Sequence, residues 1–211
     1  MPKPWQPTGG SGAVTVLNAS VLLNQRPQCA QLLGAIVVAW SNAEATLAWY
    51  YSTLVLGPTL QGVPQGQAHW ITMHTFDMLF NFPQRLNMLV KAAELRNFDK
   101  DTIKEFRKRL HALQEAGSDR IIAAHGRWGI DDTLPNALVW TKTLAGVRDA
   151  MVYESNDFIQ SLRAIEKASG ELQSFFSVTL LPRLKQEAES LIAAIKTTQN
   201  IQSAVEGDLS L

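Results

Sequence analysis

The sequence predicts an all-α protein, a helical bundle that carries one small β-hairpin. Apolar residues recur at helical spacing across most of residues 27–196, while strand-favouring sequence is confined to a short run at Leu138-Val139-Trp140. Length and composition point the same way. The 211 residues, 46% hydrophobic and 18% charged, suffice for one domain with a sizeable core and exclude a disordered chain.

Charge and cysteine usage narrow the function classes. Nineteen basic and nineteen acidic side chains cancel, so no global field draws in nucleic acid, and any phosphate-handling role must rest on a local patch. The single cysteine, Cys29, excludes an intramolecular disulfide and a multi-cysteine zinc site. It lies in an apolar run and is expected to be a small core residue.

Residues 1–24 are rich in Pro, Gly and Ser, including Thr8-Gly9-Gly10-Ser11-Gly12, and predict a flexible arm with a short extended piece over residues 14–17. Pro27 suits the first turn of a helix. Leu32, Leu33, Ile36, Val37, Trp40, Leu47, Tyr50, Tyr51 and Leu54 keep helical spacing up to Gly57, which predicts the most enclosed element. Residues 30–56 carry one formal charge, Glu44, so a membrane span has to be weighed. The polar interruption Ser41-Asn42-Ala43-Glu44 would lie near a bilayer's centre, and neither half reaches the roughly 20 residues a span needs. A bundle helix with no membrane is the expectation. Because the start, Met1-Pro2-Lys3-Pro4, lacks the layout of a signal peptide, the expected location is the cytoplasm.

Two prolines and three glycines mark residues 57–66 as a loop. A second helix is expected over about residues 68–81, with His69, His74 and Asp77. His74 and Asp77 share a face, but no E-x-x-H or H-E-x-x-H pattern accompanies them, so they read as helix-surface polarity and no metal or other cofactor is expected. Pro83 opens a helix over 84–96 that buries Leu86, Met88, Leu89 and Ala92. Asp99 or Asp101 caps the next, over 100–125, with Ile103, Phe106, Leu110 and Leu113 inward. Lys104, Arg107, Lys108 and Arg109 form its solvated side, and Gly117-Ser118 is its weak point. Residues 130–136 are turn-like and predict a hairpin pairing Arg127–Ile130 with Ala137–Thr141. Ser155, Asn156 or Asp157 then caps a long helix with Phe158, Leu162, Ile165, Leu172 and Phe175 inside. Pro182 kinks it, and a last helical stretch reaches about Lys196. The expected organisation is an arm over 1–24, one helical domain over 25–196 and a polar tail over 197–211.

The chemistry-bearing stretch runs from Asp119 to Gly129. Arg120 and His125 form an R-x4-H spacing, followed by Gly126-Arg127-Trp128-Gly129. Metal-independent RNA cleavage needs one group to take the 2′-hydroxyl proton, one to protonate the departing 5′-oxygen, and a cation to steady charge on phosphorus. Histidine titrates near neutrality, and arginine stays charged with planar donors. Five residues correspond to about 140° of rotation on a straight helix, so the two side chains diverge. A symmetric dimer, contributing each residue twice, would complete the site. A structural reading competes: His125 and a left-handed Gly126 would finish the helix, Trp128 would pack under the hairpin, and Arg120 would pair with Asp119 or Glu115.

On Arg120, Ala124-His125-Gly126 and Trp128, with Trp40…Glu44 in the first long helix and Arg85 after the kink, the chain resembles the HEPN superfamily, the higher eukaryotes and prokaryotes nucleotide-binding domain. It is most similar to bacterial stand-alone members whose segment reads approximately R-N-x-I-x-H-G-x-W, over roughly residues 28–180. The resemblance implies an α-helical bundle, a homodimer and, for many members, metal-independent endoribonuclease activity in toxin–antitoxin or anti-phage systems. Carried over, Arg120 binds phosphate and His125 is catalytic, with Arg127, Asp119, Trp128 and Arg85 as further RNA-contacting candidates and a cognate antitoxin protein as partner. The alternative is a non-catalytic HEPN-like dimeric scaffold or RNA- or nucleotide-binding regulator. Two departures stand out: Ile121 replaces a usually polar residue, and Arg127 replaces the tyrosine some toxins carry two places after the histidine.

Overall fold

Helical spacing and a proline in the first turn produce a 30-residue helix, α2 (Pro27–Leu56). The computed structural model describes residues 2–6, 15–16, 19–58, 66–79, 81–141 and 150–208, by backbone alone at 15, 16, 19, 20, 23 and 200–208. The chain is mostly helical with a small antiparallel sheet. Its contacts divide it into two compact units, Met1–Ala45 with Arg109–Glu171, and Thr46–Lys108 with Leu172–Leu211.

In the first unit α2 buries Cys29, Leu33, Ile36, Trp40 and Ala43, alternate steps of four and three that keep one stripe inward. The other faces are more open than the sequence predicts, with Val38 60% exposed. Among the described residues α2 is the one helix long and apolar enough to cross a membrane, and 33% of its most apolar window is buried.

The expected hairpin forms: β3 (Arg127–Ile130) pairs with β4 (Ala137–Thr141), with Arg127 opposite Thr141 and Trp128 opposite Trp140. The sheet is larger than a hairpin. β5 (Met151–Glu154) pairs with β4, and two short strands close the edges, β1 (Lys3–Pro4) on β5 and β2 (Thr15–Val16) on β3. Both short strands, and α1 (Ala19–Gln25), come from the segment expected to be a flexible arm. β2 falls in the short extended piece expected over residues 14–17, whereas β1 and α1 are elements that the arm was not expected to hold. Two-residue strands show no alternation in sequence, and Pro4 is tolerated because β1 is an edge. Trp5 then anchors the segment: it is 6% exposed, its backbone N–H donates to Ala150 O at 2.8 Å, and its Nε1 donates to Asp131 Oδ2 at 2.9 Å. The glycine run 8–12 lies outside the described residues.

The weak point behaves as predicted. α5 (Lys100–Ala116) ends at Gly117, and α6 (Ser118–His125) follows. Asp99 caps α5, accepting bonds from Thr102 N (2.8 Å) and Thr102 Oγ1 (2.6 Å). α7 (Ser155–Phe175) opens with Asp157 accepting from Glu154 N at 2.9 Å, half of a capping box. Trp128, Tyr153 and Phe158 pack together, with ring centres 5.3–5.6 Å apart. That cluster ties the sheet to α7.

In the second unit Gly57, at φ 90°, ends α2 in a left-handed turn that suits glycine. Arg96 donates to Leu54 O (2.6 Å) and Val55 O (2.9 Å), satisfying carbonyls that the helix end leaves open. The rest of the expected loop, 59–65, lies outside the described residues. α3 (Gln67–Asp77) stops short of residue 81, and α4 (Phe82–Leu95) carries Pro83 in its first turn. Tyr50 stacks on Phe176 at 4.0 Å between ring centres, and burial pushes its hydroxyl's pKa well up. Pro182 has no N–H for the preceding turn. The chain widens there into a π-turn, Phe176–Leu180, before α8 (Leu181–Asp208). α8 overruns the predicted end at Lys196 because no helix breaker precedes Gly207; residues 209–211 lie outside the described residues.

Candidate functional site

α6 carries both motif residues, and a glycine pressed against a tryptophan fixes each of its ends. A Cβ on Gly117 would lie 2.0 Å from Trp40 Cζ3, and a Cβ on Gly126 would lie 2.2 Å from Ile122 O and 2.7 Å from Trp140 Cδ1. The expected left-handed Gly126 is corrected. Its φ is −68° and ψ 148°, extended backbone, so glycine is needed here for close approach.

Arg120 points its guanidinium at α2. Its Cζ lies 4.4 Å from the centre of the Trp40 ring, and Nη1 is 3.9 Å from Glu44 Oε1. The two side chains are 25% and 27% exposed. The acidic partner is therefore Glu44, a residue distant in sequence, in place of Asp119 or Glu115. Asp119 instead accepts a 2.7 Å bond from Ser161 Oγ, pinning the start of α6 to α7.

His125, at the other end of α6, is exposed. It lines a groove of about 190 Å³ with Ile121, Ile122, Gly126, Arg127, Trp140 and Thr141. Arg127 is also exposed, and among the described residues neither its side chain nor that of His125 has a hydrogen-bond or ion-pair partner. Ile121, one turn before His125 on α6, is 56% exposed.

The remaining candidates hold the fold. Trp128 is 7% exposed within the sheet-to-α7 cluster, so it is a core residue and offers no stacking face. Arg85, in the second unit, donates to Leu79 O (2.7 Å) and Asp77 O (2.8 Å) and closes the end of α3. His125 and Arg127 thus share one groove, Arg120 sits on Trp40, and Asp119, Trp128 and Arg85 have structural partners. Sequence reasoning missed Trp140 and Thr141 as groove residues, although the predicted pairing of Arg127–Ile130 with Ala137–Thr141 already set that strand beside Arg127.

Other polar clusters are accounted for. Ser52 and His69 share a 2.6 Å hydrogen bond, and His74 stacks on Trp70 at 5.3 Å. On α5, Arg107 reaches Glu94 at 3.3 Å and Lys108 reaches Glu105 at 3.8 Å. The hydrogen bond from Lys91 holds the Glu94 carboxyl below the usual carboxylate range. Among the described residues no three His, Cys, Asp or Glu side chains gather as a metal would require.

The chain matches no family model, no curated protein and no solved structure.

Proposed function

We propose that this chain is a HEPN-type, metal-independent endoribonuclease, acting as a homodimer in the cytoplasm under control of an antitoxin-like protein. The observation that carries the reading is the exposed pair His125 and Arg127 in one groove, at the end of the helix that holds Arg120. A histidine of one subunit removes the 2′-hydroxyl proton as that oxygen attacks phosphorus. The second subunit's histidine protonates the leaving 5′-oxygen as its bond to phosphorus breaks. A 2′,3′-cyclic phosphate and a free 5′-hydroxyl result. Arg120, held by Trp40 and Glu44, is suited to charge stabilisation because its planar donors stay ionised.

A second reading, a non-catalytic dimeric scaffold or nucleotide-binding regulator, draws on the same Arg120. A guanidinium already paired with a carboxylate and an indole is also a structural cross-link. The two separate in one experiment, in which purified protein is incubated with RNA and a chelator and the product ends are identified. Cleavage to cyclic phosphate, lost in both Arg120→Ala and His125→Ala with helicity unchanged, supports the nuclease. Cleavage surviving His125→Ala rules out the assigned mechanism. A folded dimer that binds RNA without cutting it selects the scaffold.

A further inference from the structure

We propose that the outer half of α8 is a contact surface for a second copy of this chain, the two helices pairing antiparallel through Leu191 and Ile195. The contact uses no residue of α6 and goes beyond the ribonuclease reading.

α8 is a 28-residue helix, yet its last buried residue among those described is Leu184, 1% exposed. Every residue from 189 to 199 is exposed. A bare helix of this length is marginal in water, and helices in proteins draw most of their stability from an apolar face packed against something. The exposed stretch carries such a face. Leu191 is 63%, Ile192 37% and Ile195 49% exposed. At 100° per residue these three fall with Leu184 and Ala188 inside an arc of about 100°. The stripe is the outward continuation of the face that buries Leu184, and it ends in water.

Charges beside the stripe select the partner. Glu189 and Lys196 lie on the edge next to Ile192, three residues before it and four after it. Among the described residues neither side chain has an ion-pair partner. A second α8, running the other way, can set its Ile195 against Leu191 of the first and its Leu191 against Ile195. Like edges then run side by side, and Glu189 of each copy comes within one residue of Lys196 of the other. Two opposite-charge contacts thus flank the apolar side chains. A parallel pairing would hold Glu189 and Lys196 about 10 Å apart along the axis. A membrane surface fits less well. Lys185, Glu187, Glu189 and Lys196 sum to zero charge, whereas helices that lie on anionic lipid are rich in Lys and Arg on their polar face. Three apolar side chains per copy make a small contact, so the dissociation constant should be on the order of 10 µM.

The test is sedimentation velocity on the full chain from about 1 to about 100 µM, a range that brackets this constant. Monomer and dimer should exchange across it. Leu191→Glu enters the contact twice and should raise the dissociation constant about 100-fold, with the melting midpoint of dilute protein unchanged because the residue is exposed. Glu189→Lys and Lys196→Glu should each weaken pairing about tenfold, and the variant carrying both changes should recover wild-type affinity. A monomer at every concentration would leave the stripe to lipid or an unrelated protein and overturn the proposal. So would a dimer indifferent to Leu191→Glu, which would be joined through another surface, or a double variant as weak as the single ones. Pairing through α8 in a protein that cleaves no RNA would remove the nuclease reading and leave this contact standing.

Discussion

Arg120 and Glu44 lie 3.9 Å apart across α6 and α2, and the same guanidinium rests 4.4 Å from the centre of Trp40. Two side chains, Glu44 and Trp40, thereby fix the direction of one cation. The ion pair is partly exposed and adds about 0–1 kcal/mol to stability. Glu44→Ala should therefore leave the unfolding midpoint within a few degrees of wild type. Arg120→Lys should behave differently, since an ammonium lacks the planar fork that spreads over an indole and grips phosphate. RNA affinity, measured at fixed salt, should fall about tenfold in Arg120→Lys while helicity is kept. Unchanged affinity would take Arg120 out of the site.

Gly117 has no room for a side chain. With Trp40 Cζ3 2.0 Å from the position of its Cβ, Gly117→Ala must displace a buried indole or the start of α6. Overpacking of this kind costs about 1–3 kcal/mol. Urea unfolding should register that loss, and Gly34→Ala, where a Cβ meets nothing within 4 Å, should not.

Asp131 makes stability acid-sensitive. Bonds from Thr133 and then from Trp5 hold its carboxyl below the usual carboxylate range. A depressed folded pKa contributes stability above the unfolded value, about 3.9, and loses it as pH falls through the folded value. Wild-type stability should drop below about pH 4, and Asp131→Asn should flatten that limb while lowering stability at neutrality. Trp5→Phe should cost about 1–2 kcal/mol at pH 7. An identical acid limb in Asp131→Asn would show that other carboxyls set it.

Tyr153 governs the opposite limb. Burial first, then the charges of Asp119 and Asp157, push its hydroxyl's pKa up to about 12. A raised folded pKa supplies stability below the unfolded tyrosine value, about 10, and loses it as pH rises toward the folded value. Ultraviolet titration should find this phenol protonated at pH 11 in the folded protein. Tyr153→Phe should remove part of the alkaline loss.

Much of this architecture was legible. Helix limits follow from Pro27, Gly57, Pro83, Asp99 and Gly117, because each changes local backbone energetics in a way its neighbours do not override. The hairpin was visible because β-favouring residues flank a turn-like stretch. Residues 2–6 were not, since Lys3-Pro4-Trp5 shows no pattern until the sheet supplies the edge and Asp131 the acceptor. Within the site, the positions of Arg120 and His125 were readable, but their surroundings were not. Glu44 reaches Arg120 from 76 residues away, and spacing alone cannot distinguish an exposed Trp128 from the enclosed one observed.

The widened turn at Phe176–Leu180 resets the phase of the final helix. Leu172, Phe176, Leu180 and Leu184 are all buried at intervals of four, a spacing that would drift by about 120° in an unbroken α-helix. The π-turn, wound at about 4.4 residues per turn, takes back most of that drift. Removing one exposed residue between 177 and 179 would leave eleven steps from Leu172 to Leu184, only about 20° off three full turns of an ordinary α-helix. Leu184 would still face inward and the whole carboxyl-terminal helix would keep its setting, so the wide turn amounts to one spare residue, absorbed without rotating anything that follows it.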